Sequence, residues 1–508
     1  MSGPTAPDLH PATVRLLLLA AIALTVVVRV AYLADKPFWR DEAWVAGAAQ
    51  ERLMAVGDAQ RPRPVPIGFM AMIQAAAALP GLSPEVAYRL LPLLVGLLVP
   101  PLFGWFARAL GASAATMVIV VWLAAGLPPF VYYSRELKSY GLDLFFALLV
   151  PLLAWRALAD GPRAGGAAGA GLTLAVIAAP WVSFAALFPI VGALSWAWLR
   201  WWRPAATAVR RTLLIASGLF GLSFALAYQV GLGNQAASRS LHRYWATRLF
   251  TVHETSLLEQ IPDAIARYAV NSTTYFFPSG WPLAIGLAAL GLAVWPVRSR
   301  GFLLWLAAAP AAAAIGAALA DRYLLEHGRL LLFAAPPLLL FTAAGLAWLG
   351  ARAGRRGTAV AIGAAVVVAL GWSAAAIRHR LPPHHNNVSL YFRYDVLHDV
   401  DAAIAAAAAV VPPDEPLLIS LFAGKQFAYY SRGRLPQALV CIEPCPDFSQ
   451  RRAEFLAAVG GRGWAMLIDE EVWSFNQALE AANVTRARRV RVRGVQLWEL
   501  TRSPPPGS

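Results

Sequence analysis

Apolar runs of about 20 residues recur along this chain, and each is long enough to carry a helix across roughly 30 Å of hydrocarbon. Composition agrees. With 58% hydrophobic residues over 508 positions and a mean hydropathy of +0.55, the chain is too apolar for one soluble globule and long enough for a polytopic membrane protein. The apolar pattern stops near Arg378, and an amphipathic, mixed sequence follows to Ser508. The expected organisation is a transmembrane domain over residues 1–380, a second domain over 381–502, and a tail, 503–508, whose Ser-Pro-Pro-Pro-Gly-Ser composition predicts disorder.

The formal net charge of +15 does not point to nucleic acid, because the arginines stand in short clusters at the ends of apolar runs rather than along one stripe. Positive-inside topology explains them. The first run, Val14 to Leu33, lacks a small-x-small cleavage site and leads into further spans, so it reads as the first transmembrane helix. Cytoplasmic ends are then marked by Arg15, Arg108, Arg156 with Arg163, Arg200 through Arg211, Arg298 with Arg300, and Arg352 through Arg356. Pairs of apolar runs between these markers give about eleven spans that start inside and end outside. The outer side receives the loop from Ala34 to Glu85, the turn from Tyr132 to Tyr140, the loop from Gly231 to Tyr275, the turn from Asp321 to Arg329, and the C-terminal domain. The short apolar segment Val65 to Leu79, with Pro64 and Pro66 at its start, is assigned to the membrane surface or a partial re-entry. If it spans, every later side assignment inverts.

Beyond Arg378 the pattern changes to helical stretches (Tyr394 to Val411, Ser449 to Val459, Val472 to Ala482) alternating with strand-like runs (Leu417 to Phe422, Ala438 to Ile442, Ala465 to Ile468). That order suggests a small α/β sheet, closed by a hairpin over Arg489 to Leu500 around Arg493-Gly494. The only cysteines, Cys441 and Cys445, suit a disulfide in an oxidising exterior and make a poor zinc site without nearby histidines. His384 and His385 have no spacing that suggests a metal.

Two short segments concentrate the polar chemistry. Tyr132-Tyr133-Ser134-Arg135-Glu136-Leu137-Lys138-Ser139-Tyr140 places three charges and three phenols between long apolar runs, and Phe38-Trp39-Arg40-Asp41-Glu42-Ala43-Trp44 puts adjacent carboxylates after the first span. On a helical turn Arg135 and Lys138 share a face, and Glu136 and Tyr140 form an i, i+4 pair. Two long cations at such a place either snorkel to the interface or hold an anion, and the organisation of the turn favours the anion. The carboxylates either cap a surface helix or do chemistry; being about 100° apart on a helix, only one faces a substrate. Arg29, near the outer end of the first span, is costly unless it pairs with a loop carboxylate or binds a ligand. Asp143, a turn beyond Tyr140, is placed to neutralise Lys138. Arg239, His242, Arg243, Tyr244 and Trp245 form a basic and aromatic cluster suited either to a sugar or to the membrane interface.

Taken in order, these residues resemble the bacterial polyprenyl-phosphate-sugar-dependent glycosyltransferases of the GT-C fold, related to protein O-mannosyltransferases and to the aminoarabinose transferases of lipid A. The resemblance rests on Arg29, then Trp39, Asp41 and Glu42, the proline-rich start Pro64 to Gly68, Ala87-Tyr88-Arg89-Leu90, and the Tyr-Tyr-Ser-Arg-Glu-x-x-x-Tyr turn. It is strongest over residues 12 to 160. At Arg329 the sequence has Arg-Leu-Leu-Leu where the family has Arg-Tyr-Leu-Leu.

The resemblance implies a polytopic α-helical GT-C-like protein of the bacterial cytoplasmic membrane, with its active site and C-terminal α/β domain extracytoplasmic. It implies inverting transfer of a hexose or pentose from a polyprenyl-phosphate sugar to a cell-envelope acceptor, whether glycan, lipid or protein. Asp41 is then the expected general base, with Glu42 next; Arg135, Lys138, Tyr140 and Arg329 are expected on the donor phosphate, and Arg29, His242, Arg243 and Tyr244 as further substrate contacts. A phosphate, with a second pKa of about 6, leaves as an anion without protonation, so one base and a few cations suffice. No metal site is expected in the sequence, although a divalent ion could assist. The main rival is a transporter or flippase of lipid-linked glycans, which predicts charges spread through several span centres. A membrane-anchored binding protein is the other, and it predicts that Asp41 is dispensable.

Overall fold

The computed structural model describes residues 9–31, 33–34, 37–53, 65–158, 166–202, 207–233, 256–277, 280–378, 399–441, 445, 447–459, 462–492 and 494–502. From the N-terminus come α1 (Pro11–Val30), α2 (Arg40–Ala49), α3 (Ile67–Ala77), α4 (Pro84–Ala109), α5 (Ala114–Gly126) and α6 (Pro128–Tyr133). Next are α7 (Tyr140–Leu158), α8 (Gly166–Val182), α9 (Leu187–Trp201), α10 (Thr207–Ala227) and α11 (Leu257–Thr274). The helical run closes with α12 (Trp281–Val294), α13 (Val297–Leu319), α14 (Ala335–Arg352) and α15 (Gly354–Arg378). The chain divides into two compact units, one of Met1–Leu33 with Arg52–Tyr394 and one of Ala34–Glu51 with Asp395–Ser508.

The first unit is a helical membrane body. Among the described residues 7 helical segments are long and apolar enough to cross a bilayer, those of α1, α4, α7, α10, α13, α14 and α15. Counted with the shorter apolar helices α5, α8, α9 and α12 they would make up the eleven or so spans expected from the sequence. Local chemistry fixes the ends: Pro84 opens α4 behind Ser83, whose Oγ accepts from the Val86 amide at 3.4 Å, and Ser113 caps α5 by accepting from Thr116 N at 3.2 Å. The 11 residues of α3 extend about 16 Å at 1.5 Å each, well short of a bilayer. Pro66 starts that helix and the turn at Gly81, with φ 79°, follows it.

The helices differ in what their apolar surface meets. In α14 78% of the apolar window is buried, against 17% in α1, so α14 is an interior helix and α1 a peripheral one. Leu16, Leu19, Val26 and Val27 of α1 are exposed, as befits side chains whose solvent is lipid, whereas Thr25, Val28 and Arg29 on the other face are buried.

In the second unit, α16 (Val400–Val410), α17 (Gly424–Tyr430), α18 (Phe448–Ala458) and α19 (Val472–Ala481) accompany a five-stranded sheet. Its strands are β1 (Leu417–Ile419), β2 (Ala438–Leu439), β3 (Arg462–Ile468), β4 (Val484–Val492) and β5 (Val495–Arg502), in the order β2-β1-β3-β5-β4. β1 runs parallel to β2 and β3, whereas β5 is antiparallel to both β3 and β4. The core gathers Leu418, Phe455, Leu456, Ala465, Leu467, Phe475, Trp498 and Leu500. The closing hairpin begins earlier than the sequence alternation suggests, at Val484. β5 is buried at six consecutive positions, because it is interior to the sheet and its polar members are paired: Gln496 donates to Asp469 at 2.6 Å, and Glu499 accepts from both Arg462 and Arg489. Cys441 and Cys445 form a disulfide. The helix expected from Tyr394 starts at Val400, capped by Asp399, with 394–398 outside the described residues, as is the 503–508 tail.

Candidate active site

The Tyr132–Tyr140 segment lies in the first unit and leaves the helix between Tyr133 and Tyr140. Helix α6 starts at the Pro128-Pro129 pair, ends after Tyr133, and is followed by bends through residue 138 before α7 resumes at Tyr140. The shared helical face expected for Arg135 and Lys138 is therefore absent; a tight turn, in which Lys138 N donates to Glu136 O at 2.8 Å, replaces it. Close packing of the turn on α4 depends on Gly96, where a Cβ would stand 2.1 Å from Ser134 Cβ.

Although polar, the turn is buried: Ser134, Arg135, Glu136 and Lys138 each expose 7% or less. Arg135 Nη1 reaches the end of α1, donating to Val28 O at 3.4 Å and Ala31 O at 3.3 Å. Arg29 donates through Nη1 to Ala125 O at 2.8 Å and through Nη2 to Ala124 O at 3.3 Å, so these donors meet carbonyls of the last turn of α5 rather than a loop carboxylate. Arg89, also fully buried, lies near enough to act on Arg135: burial first and the Arg89 charge second push the Arg135 guanidinium down to about 10, which leaves it protonated at neutral pH. Three buried guanidinium groups, Arg29, Arg89 and Arg135, thus gather at one end of the helical body. Like charges so placed favour an anion nearby, and the same turn carries one of its own in the buried Glu136.

Tyr140 stands edge-on to Tyr133, with ring centroids 5.2 Å apart, and the Arg329 guanidinium lies 5.6 Å from the Tyr140 ring centroid. Two of the expected phosphate contacts are therefore neighbours. Tyr133 also shares a hydrogen bond of 2.6 Å with Tyr275, a residue without a sequence signal of its own. Tyr275 packs on Gly328, where a Cβ would come within 2.2 Å of its ring; the tight 3-10 turn Gly328–Ala334 carries Arg329. Asp143 finds its partner in Ser183, whose hydroxyl donates to Oδ1 and in turn accepts from the Ala186 amide at 3.0 Å.

Asp41 and Glu42 lie in the second unit, in the first turn of α2, where the helix dipole favours negative charge. Glu42 is fully buried and folds back so that Oε2 accepts from the Trp39 amide at 3.4 Å. Asp41 keeps 17% of its side chain exposed and pairs with Arg40 at 3.7 Å. The two carboxylates thus divide as their positions on a helix require, one turned into the fold and one outward. His242, Arg243 and Tyr244, with Arg239, Trp245, His384 and His385, fall outside the described residues. The one group of closely spaced metal-donor side chains among the described residues is Cys441, Cys445 and Asp447, and both sulfurs are held in the disulfide.

The helical body, its buried cationic turn and the carboxylate-bearing helix of the second unit can be set beside solved structures. ArnT from Cupriavidus metallidurans bound to undecaprenyl phosphate superposes with a TM-score of 0.56, at 13% identity, over 97% of this chain and 98% of that one. This chain has the GT-C fold. The apo structure of the same ArnT gives a TM-score of 0.53, at 14% identity, over 96% and 98% of the two chains. A second GT-C protein, the archaeal oligosaccharyltransferase AglB from Archaeoglobus fulgidus in complex with an inhibitory peptide and a dolichol-phosphate, gives 0.50 at 12% identity, over 94% of this chain and 69% of that one. No protein-family model matches the sequence, and neither does any curated protein. The GT-C likeness extends through the small C-terminal sheet as well as the spans, since it takes in nearly the whole of both chains.

Proposed function

We propose that the chain is an integral membrane glycosyltransferase that moves a sugar from a polyprenyl phosphate to an acceptor hydroxyl, with inversion, on the outer face of the bacterial cytoplasmic membrane. The observation that carries this reading is the end-to-end likeness to a structure bound to undecaprenyl phosphate. The gathering of Arg29, Arg89 and Arg135 in the helical body supports it, as a place where an anionic headgroup meets fixed positive charge.

In this reading Arg135, Lys138 and Arg329, with the Tyr140 hydroxyl, hold the phosphate as it gains charge, a preorganised electrostatic role that costs no rearrangement during the reaction. The acceptor oxygen attacks the anomeric carbon, Asp41 takes its proton, and the bond from that carbon to the phosphate oxygen breaks. The products are a glycosylated acceptor and polyprenyl phosphate. Asp41 is preferred to Glu42 because Glu42 is buried and turned back to its own helix start. Arg29, whose donors point at helix carbonyls, supports the fold beside the phosphate rather than the sugar.

The experiment measures release of polyprenyl phosphate from a panel of hexosyl and pentosyl donors by the protein in lipid nanodiscs, supplied with a cell-envelope extract. Turnover of one donor that disappears in a stably folded Asp41→Asn variant is the expected result. Turnover by neither form with any donor would sink the transferase.

A further inference from the structure

The segment that carries Asp41 is short and enters its helix without a neighbouring strand, so something else must fix its backbone. The structure supplies it from α17, almost four hundred residues later. Tyr430 Oη accepts from the Phe38 amide at 2.7 Å, and Gln426 Nε2 donates to the Phe38 carbonyl at 3.1 Å, so one residue's backbone is held at both polar groups by side chains one turn apart. The Phe38 ring is fully buried, edge-on to Tyr429 at 5.4 Å and stacked near Tyr430 at 6.4 Å. Further along, Lys425 Nζ lies 4.2 Å from the Trp44 ring centroid, and the Arg40 guanidinium 4.8 Å from that of Phe422. Gln426 is itself fully buried. An amide in such a place is costly unless bonded, and the bond it makes is to the carbonyl three residues before Asp41.

We infer that Gln426 and Tyr430 are positioning residues for Asp41, and that the C-terminal domain contributes to transfer by fixing where the base stands. The inference rests on the assignment of Asp41 as the general base. A base must meet its proton within hydrogen-bond reach, and a misplacement of about 1 Å can cost on the order of a hundredfold in rate. The clamp acts on the backbone at Phe38, from which α2 begins two residues later. The contact stands apart from the sheet core of Leu418, Ala465, Leu467, Trp498 and Leu500.

The test compares wild type, Tyr430→Phe, Asp41→Asn and the double variant, all as full chains in nanodiscs. Tyr430→Phe keeps the ring and removes the hydroxyl that accepts from the Phe38 amide. It should lower kcat about tenfold, or about 1.4 kcal/mol of barrier, with donor KM unchanged and faster amide exchange over residues 38–44. In the Asp41→Asn background the same substitution should cost nothing more, because groups acting through one another are not additive. Unchanged exchange, unchanged kcat, or a full additional loss in the double variant would each overturn the positioning role. If Asp41→Asn turns over like wild type, the base assignment fails and the role in transfer fails with it. Amide exchange would still report separately whether α17 holds the segment. Gln426→Ala, which removes the second bond, repeats the comparison should Tyr430→Phe prove poorly folded.

Discussion

Arg29 donates to the carbonyl of Ala125 at 2.8 Å, across 96 residues of sequence. The last carbonyls of a helix have no partner within it, and a cation beside them satisfies the hydrogen bond and the dipole together. A buried arginine in the first span thus joins α1 to the end of α5. Arg29→Met should leave the Ala124 and Ala125 carbonyls unmet and cost about 1–3 kcal/mol, read as a lower unfolding temperature in detergent. Arg29→Lys should recover part of it, since an ammonium donates but lacks the fork that reaches both oxygens.

The contact of Gly96 with Ser134 makes a sharper demand. A methyl group at Gly96 would stand 2.1 Å from Ser134 Cβ, and neither atom can rotate away, so α4 and the cationic turn must part. Overpacking of this kind costs about 1–3 kcal/mol, and here it should also weaken binding of polyprenyl phosphate by moving Arg135. Gly363→Ala, at a position with nothing within 4 Å of the added carbon, is the control and should leave both unchanged.

Asp41 and Glu42 should separate cleanly. Asp41→Asn keeps the size of the side chain while removing its charge and should lower release of polyprenyl phosphate by about 10²–10⁴, the usual worth of a general base, in a protein that still folds. Glu42→Ala removes the acceptor of the Trp39 amide and should cost about 1 kcal/mol of stability, as lost helix caps do. A Glu42→Gln variant that loses all turnover while Asp41→Asn keeps it would reverse the two roles.

Hydropathy made the spans legible, because lipid imposes one length and one polarity on a crossing helix whatever its neighbours. The C-terminal strands were legible for a related reason, their short apolar runs lying between turn residues. The partners of the polar groups were not. Arg29 meets backbone carbonyls, Asp143 meets Ser183, and Tyr133 meets Tyr275; none of these carries a pattern, since a carbonyl belongs to every residue and a serine or tyrosine to many. Helical spacing also misdescribed the Arg135 to Lys138 turn, where α6, only 6 residues long, gives out before the charges begin. Least visible was the union of Ala34–Glu51 with the C-terminal residues, made by contacts such as Phe38 with Tyr430, 392 positions apart.

Glu499 gives the second unit a dependence on acid. The hydrogen bond from Arg489, opposed by burial and reinforced by Arg462, holds its carboxyl below the ordinary value of 4.5. A carboxyl depressed on folding stabilises fully above its unfolded value, and that stabilisation is lost as pH falls through the folded one, because the unfolded chain takes up the proton first. Glu499→Gln should therefore lower the unfolding temperature of the second unit at neutral pH, and the gap from wild type should close as pH is taken stepwise below 4.5. Both arginines are about half exposed, with 46% and 52% of their side chains accessible, so added salt should narrow the gap at neutral pH as well. A gap that stayed constant from neutral pH into acid would mean that Glu499 acts through shape and its buried position on β5, and that its charge contributes nothing.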